Sequence, residues 1–334
     1  MPVTLVATVL NEGESIRRLV DSIAAQQRPP DEVILCDGGS TDNTVSVLKE
    51  YAGRLPLRVI EKAGANISQG RNAAIQAATH DLIAVTDAGV RLEADWLGKI
   101  IAPMENEPQV SVVSGFFQSD PHTAFEIALG ATTLPEVGEI NPATFLPSSR
   151  SVAFRRWAWE AVGGYPEWLD FCEDLILDFR LKAAFGAFAF APDAVAHFRP
   201  RQTLGAFMRQ YFQYARGDGK AGLYFRRHMI RYLTYLAALP LVIVASVSIS
   251  PLWLAALIAG GVVLVATPYR RLARQWGKLG GAGKVTAAMC VPIIRVAGDI
   301  AKMAGYPAGV AWRMKHDPPD WRSSHAPVRN PNPD

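Results

Sequence analysis

Short apolar runs alternate with stretches whose apolar positions recur at helical spacing along the N-terminal part of the chain. Val3 to Leu10 is strand-like. Glu14 to Gln27 carries Ile16, Leu19, Val20 and Ile23 on one helical face before Pro29 and Pro30 stop it. Glu32 to Cys36 reads as a second buried strand. It runs into Asp37-Gly38-Gly39-Ser40-Thr41-Asp42, whose glycines permit tight turning and whose Ser40, Thr41 or Asp42 can cap a helix from Asn43 to Tyr51. Leu57 to Glu61 is a third strand, Gly64 to Asn72 leads into a helix through Ala78, and Leu82 to Val85 is a fourth strand. This alternation predicts a parallel α/β sheet whose strand carboxyl ends open onto a nucleotide-sized crevice.

Further on, Asp95 to Ala102 reads as a helix and Val110 to Ser114 as a strand. From Gly115 to Pro147 the period is lost among Pro121, Pro135, Pro142 and Pro147, which predicts an irregular lid or acceptor-facing segment. A strand over Ser151 to Phe154, a short helix over Arg155 to Val162 and a Gly163-Gly164-Tyr165 turn follow. Phe171-Cys172-Glu173-Asp174 then opens a helix carrying Leu175, Ile176, Phe179 and Leu181. Ala187 to Ala191 is the last strand, with His197 in the loop beyond it. Leu204 to Arg216, rich in aromatic residues, reads as a surface helix near a membrane.

After Met229 the pattern changes. Ile230 to Ile249 has Arg231 as its only charge, and Leu252 to Thr267 has none, so each approaches the roughly 30 Å needed to cross a bilayer. Arg226, Arg227, His228 and Arg231 precede this pair, and Arg270, Arg271, Arg274, Lys278 and Lys284 follow it. The positive-inside bias puts both ends of such a hairpin in the cytoplasm. Val285 to Trp312 is apolar but interrupted by Pro292, Arg295, Asp299, Lys302 and Pro307, and reads as interfacial or re-entrant. The expected organisation is a catalytic domain over 1–220, a membrane region over 221–314 with its hairpin at about 230–267 and its interfacial segment at about 285–312, and a disordered tail over 315–334.

Composition supports this division. Of 334 residues 49% are hydrophobic and only 19% charged, and the net charge of +3 is not gathered in a basic tract, so nucleic acid is not an expected partner. Cys36, Cys172 and Cys290 are odd in number and have neither zinc nor disulfide spacing, which suits a reducing compartment. The first apolar run lacks a basic leader and a cleavage site, so the N-terminal part is expected in the cytoplasm.

Candidate chemistry sits where buried strands end. Asp87 follows the Leu82 to Val85 run and reads equally as a turn cap and as a site acid. Glu173 and Asp174 fall in a first helical turn, where the dipole favours carboxylates, and two adjacent acids cannot both face one way. One can pair with a basic residue while the other points into the crevice. No GxGxxG follows the first strand and no GxxxxGK[ST] is present, which argues against dinucleotide and P-loop sites.

Taken in order, several landmarks resemble a family 2 glycosyltransferase of the GT-A fold. They are Asn11-Glu12, Asp37 to Asp42, Gly64 to Asn72 with Arg71-Asn72, Thr86-Asp87-Ala88, Val162 to Tyr165, Glu173-Asp174 and Arg209-Gln210. The resemblance covers about Val3 to Gly217 and implies a Rossmann-like mixed α/β sheet, with membrane helices at the C-terminus as in many bacterial members. It implies a nucleotide-sugar donor (a UDP- or GDP-sugar), a lipid-linked or glycan hydroxyl as acceptor, inversion at the anomeric carbon, and a role in cell-envelope or exopolysaccharide synthesis at the inner membrane.

By resemblance, Thr8, Glu12, Asp37, Arg71 and Asp87 line the donor site, with Asp37 on the base. Asp174 is the catalytic base and Glu173 its structural partner. Asp87 matches the first acid of the family's DxD motif, but the second acid is replaced by Gly89. A divalent ion, Mg²⁺ or Mn²⁺, is the expected cofactor, held by Asp87 with His197 as a late ligand, and the loss at Gly89 should weaken it. The absence of QxxRW suggests transfer of single sugars. A catalytically degenerate nucleotide-sugar-binding scaffold of the membrane is the alternative. A nucleotidyltransferase would need a basic, glycine-rich loop that Asn11 to Ser15 does not supply.

Overall fold

The computed structural model describes residues 1–322 and forms two compact units. The first comprises 1–118 and 137–198 with the last described residues from 319. The second comprises 119–136 and 199–318. The sequence reading ran the first domain to 220, whereas here the helix beginning at Leu204 belongs to the second unit.

In the first unit, β1 (Val3–Val9), α1 (Arg17–Ala24), β2 (Glu32–Asp37), α2 (Thr44–Lys49), β3 (Leu57–Glu61), α3 (Ile67–Gln76) and β4 (Leu82–Val85) follow the expected alternation. Beyond them lie β5 (Val90–Leu92), α4 (Trp96–Asn106) and β6 (Val112–Ser119). After α5 (Ala124–Thr133), of the second unit, the first resumes with β7 (Val152–Arg155), α6 (Arg156–Ala161), α7 (Glu173–Phe185) and β8 (Ala189–Phe198). The eight strands make one sheet in the order β3-β2-β1-β4-β7-β6-β8-β5.

Strands β1 to β4 pair in parallel, but β7 runs antiparallel to β4 and β6 antiparallel to β7, so the sheet is mixed rather than wholly parallel. Strand periodicity decides which face each side chain serves. Leu5, Ala7, Val33 and Leu35 pack on one face with Leu19, Ile23, Trp96 and Ile100. Val6, Ile34 and Cys36 pack on the other with Ile75, Trp159, Leu177 and Leu181. Both faces are therefore dry, which explains the near-continuous apolar runs.

The segment expected to be irregular holds a helix. Thr123 caps α5 by accepting from the Glu126 N–H at 3.2 Å, and Ile127, Ala128, Leu129 and Ala131 are all buried. A helix buried around much of its circumference shows little amphipathic period, and the flanking prolines hid it further.

The second unit adds α8 (Leu204–Ala221), α9 (Phe225–Leu233), a π-helical turn at Thr234–Ala238, α10 (Leu239–Ser248), α11 (Leu254–Arg274) and α12 (Gly281–His316). The segment read as re-entrant is thus part of one continuous helix, and the expected tail from 323 onward lies outside the described residues. Helices α8 and α12 pack backbone to backbone at Gly219, Gly305 and Gly309, where any Cβ would strike the opposite main chain. Phe225–Ser248 and Pro251–Arg274 are each long and apolar enough to cross a membrane. Their apolar side chains point outward, with Val247 84% and Leu252 82% exposed.

Candidate active site

Asp87 stands two residues beyond the carboxyl end of β4. Because β7 runs antiparallel to β4, with Val152 opposite Val85, the start of β7 lies beside that end and brings Arg150 to Asp87. The Thr86 N–H donates to the Val6 carbonyl at 3.1 Å and its hydroxyl donates to the Arg150 carbonyl at 3.0 Å, which ties the two segments together.

Helix α3 supplies Arg71. Asn66 and Gln69 form a reciprocal capping box at its start, and Gly70 lets the helix lie against Thr8 of β1, where a Cβ would come within 2.7 Å of the Thr8 methyl. The Asn72 amide donates to the Tyr165 carbonyl at 2.9 Å and accepts from the Tyr165 N–H at 2.9 Å, fixing the turn ahead of α7. Gly163 and Gly164 have φ of 77° and 67°, a conformation glycine adopts without penalty, and they turn Tyr165 inward beneath the Arg71 guanidinium at 5.2 Å. The Tyr165 hydroxyl is 3.0 Å from Ser149 Oγ.

Arg71 is only 2% exposed. Its Nη2 donates to Asp87 Oδ1 at 2.6 Å and its Nη1 to Glu173 Oε1 at 2.5 Å. Arg150 completes the cluster, its Nε 3.7 Å from Asp87 Oδ2 and its guanidinium 4.7 Å from the Phe198 ring. Cys172, at φ 65°, makes the turn that presents Glu173 and Asp174 at the head of α7. The two acids do divide. Glu173 is buried on Arg71, while Asp174 is half-buried and its Oδ1 accepts from the Leu175 N–H at 2.9 Å.

Charge states follow from these contacts. Burial alone would raise Asp87, but Arg71 and Arg150 outweigh it and hold the carboxyl below its usual range. Glu173 is pushed up to about 7, by burial first and then by the neighbouring Asp174. Burial also raises Asp174, against the pull of Arg71. One turn along α7, Asp178 is 4% exposed, its Oδ2 has no hydrogen-bond partner among the described residues, and burial raises it well above an ordinary aspartate. Arg150, Tyr165 as a partner of Arg71, and Asp178 were not named as site residues from the sequence. The antiparallel pairing that delivers Arg150 is long-range and leaves no local signal.

The remaining predicted residues lie at the ends of β1 and β2. Asp37 is buried and accepts from the Gly39 and Ser40 N–H groups at 2.9 Å each and from the Ser40 hydroxyl at 2.5 Å. The Glu12 N–H donates to Thr44 Oγ1 at 2.9 Å and its carboxylate accepts from Ser15 Oγ at 3.0 Å. Thr8 faces α3 from β1. His197 lies within β8 rather than beyond it, opposite Arg91, and its Nε2 is 2.8 Å from Glu93 Oε1.

These donors do not compose a metal centre. No group of three His, Cys, Asp or Glu side chains with ligating geometry occurs among the described residues. Gly89 brings no carboxylate, Asp87 already answers two guanidiniums, and His197 has its own carboxylate.

The sequence model described as Glycosyl transferase family 2 matches residues 4–148. The uncharacterized glycosyltransferase YibD of Escherichia coli (strain K12) is 34% identical over 86 residues, so that the match spans only 25% of this chain and 25% of that relative. The succinoglycan biosynthesis protein ExoA of Rhizobium meliloti (strain 1021) is 28% identical over 236 residues, 65% of this chain and 68% of ExoA. Among solved structures, the mannosyltransferase PcManGT from Pyrobaculum calidifontis, in complex with GDP-Man and Mn²⁺, aligns with a TM-score of 0.59 at 20% identity, over 90% of this chain and 86% of that one. That likeness shows the GT-A fold. With the mixed sheet, the match identifies the N-terminal part of the chain, residues 4–148, as similar in sequence to glycosyl transferase family 2.

Proposed function

We propose that the protein is a membrane-anchored glycosyltransferase that moves one sugar from a nucleoside diphosphate sugar to a hydroxyl of a lipid-linked or glycan acceptor with inversion, in envelope or exopolysaccharide synthesis. The observation that carries this reading is the half-buried Asp174 at the head of α7, set beside the Arg71, Asp87 and Glu173 cluster where the central strands end. ExoA, named for succinoglycan biosynthesis, and PcManGT, seen with GDP-Man, support the polysaccharide setting and the donor class. The outward-facing apolar helices support the anchor, with the catalytic unit on the cytoplasmic side.

In this reading the acceptor hydroxyl oxygen attacks the anomeric carbon from the face opposite the diphosphate. Asp174 takes the hydroxyl proton as the new C–O bond forms, and the bond to the diphosphate breaks with its electrons staying on the phosphate oxygen. Glu173 and Arg71 hold the head of α7 and the Asp87 loop in place. Arg150, partly exposed beside Asp87, is the cation nearest the developing charge of the leaving group. Thr8, Glu12 and Asp37 frame the nucleotide end of the crevice.

The test is transfer by the full chain purified in detergent, screened against UDP- and GDP-sugars with and without EDTA. Product stereochemistry is read by NMR and membrane association by liposome flotation. Turnover with inversion that Asp174→Asn abolishes is the expected result. Nucleotide binding with no turnover of any donor would overturn the enzymatic reading in favour of a scaffold, and turnover with retention would overturn the mechanism.

A further inference from the structure

Within the second unit, α5, α8 and α12 line a half-open polar cavity of about 100 Å³ that the proposed chemistry does not use. Thr132 and Thr133 of α5, Tyr211 of α8, and Arg295, Asp299 and Lys302 of α12 contribute to its walls. The acid among them is already engaged: Asp299 accepts from Arg231 Nε at 2.7 Å and from the Tyr235 hydroxyl at 3.0 Å. The two cations are not. Lys302 Nζ stands 4.5 Å over the Tyr211 ring, and among the described residues neither Lys302 nor Arg295 has an ion-pair partner. Burial pulls the half-buried Lys302 ammonium down to about 8. Arg231, Arg295 and Lys302 outnumber Asp299 and the more distant Asp218, and this excess of positive charge, with Arg295 exposed and Lys302 half-buried, favours an anion.

We propose that this cavity binds a phosphate group, on a lipid headgroup or free, with Lys302 and Arg295 as its cationic contacts and Asp299 held aside by Arg231 and Tyr235. The two cations set the ligand class, since a phosphoryl group can accept from a guanidinium and an ammonium together.

Position favours presentation by a lipid. Arg231 and Tyr235 lie toward the N-terminal end of the apolar segment Phe225–Ser248. Tyr269, toward the C-terminal end of the second segment, donates to the Ala288 carbonyl of α12 at 2.9 Å. Through Arg231 and Tyr235 on Asp299, the cavity is bordered by the charged end of the first segment, where headgroup phosphates lie. This rests on the reading of the chain as a membrane-anchored transferase and adds a site on the anchoring unit for the phosphate of its acceptor lipid.

The test uses the full chain in detergent and follows acetylation of Lys302 by mass spectrometry, with farnesyl phosphate, farnesol and inorganic phosphate as probes. Farnesyl phosphate should slow Lys302 acetylation about tenfold, farnesol should not, and Arg295→Gln should remove the protection. Equal protection by inorganic phosphate would retain the phosphate site and assign it to a free anion. Protection by farnesol, or by none of the three, would overturn the proposal. Calorimetric titration with farnesyl phosphate gives a second reading, in which Lys302→Met should weaken binding about tenfold and unchanged binding would overturn the site. Flotation and sugar transfer measured on the same preparation separate the two readings. A protein that floats and turns over without protecting Lys302 loses only this site, and one that protects Lys302 but does not float loses the membrane anchor.

Discussion

Arg71 and Glu173, 102 positions apart in the chain, meet at 2.5 Å in the interior of the first unit, and the same guanidinium holds Asp87 at 2.6 Å. One cation thus joins α3, the loop after β4 and the head of α7. Removing one partner of such a buried set leaves charge without compensation. Arg71→Met should therefore destabilise the protein by about 3–5 kcal/mol, seen as a lower thermal midpoint. Adding Glu173→Gln should recover part of that loss without recovering transfer. A single variant with an unchanged midpoint would show that the cluster does not organise the site.

Asp174→Asn keeps the acceptor for the Leu175 N–H while removing the proposed base. Its kcat/KM should fall about 10²–10⁴-fold with the thermal midpoint little changed. Because burial raises Asp174, the rate of the unmodified protein should climb with pH through a limb above the ordinary aspartate range, and the variant should lack that limb. Glu173, pushed up to about 7 and adjacent to Asp174, titrates together with it, so the limb belongs to the pair. An intact limb in the variant would assign the base to another residue.

Asp178 offers a test that is independent of activity. Its raised pKa means that the folded protein holds the proton more tightly than the unfolded chain. Its contribution to stability is therefore complete below the ordinary aspartate range and is lost as pH rises through the folded value. Asp178→Asn cannot titrate. As pH rises above the ordinary aspartate range of about 4, the thermal midpoint of the variant should rise relative to that of the unmodified protein. A constant difference above that range would show that Asp178 is ionised in the fold.

Gly70 is the point of closest approach between α3 and β1. A Cβ there would lie 2.7 Å from the Thr8 methyl, so Gly70→Ala should cost about 1–3 kcal/mol despite the better helix propensity of alanine. Adding Thr8→Ser removes the opposing methyl and should restore most of the loss. If the two changes prove additive in thermal midpoints, α3 is not seated against β1 in this way.

Much of this arrangement was legible in the residues because it is local. Leu82–Val85 matches the observed strand, since a run buried on both faces leaves a continuous apolar signature, and Leu57–Glu61, a half-buried edge strand, matches as well. The division of labour between Glu173 and Asp174 follows from their adjacency. What escaped is what depends on distant pairing. Arg150 reaches Asp87 only because β7 returns antiparallel to β4, and α5 is hidden by burial of its apolar and polar positions alike. β8 was read too short, ending at Ala191, because Pro192 and Asp193 interrupt its apolar run. His197 consequently fell in a loop rather than in the strand.

In the proposed reaction, Gly89 and Arg150 together set how the leaving group is handled. A Cβ at Gly89 would meet nothing within 4 Å and its φ is not in the left-handed range, so Gly89→Asp should fold normally and place a second acid beside Asp87. In the unmodified protein the acid of this loop is matched by guanidiniums, and Arg150→Gln should reduce kcat more than it raises KM for the donor, because its charge is needed most as the diphosphate departs. Gly89→Asp should bind Mn²⁺ more tightly, measured by electron paramagnetic resonance of the free ion, since each added carboxylate favours a hard cation. Its transfer activity should become more sensitive to EDTA than that of the unmodified protein. If Arg150→Gln is silent and EDTA abolishes transfer by the unmodified protein, the positive charge at the leaving group comes from a divalent ion and not from Arg150.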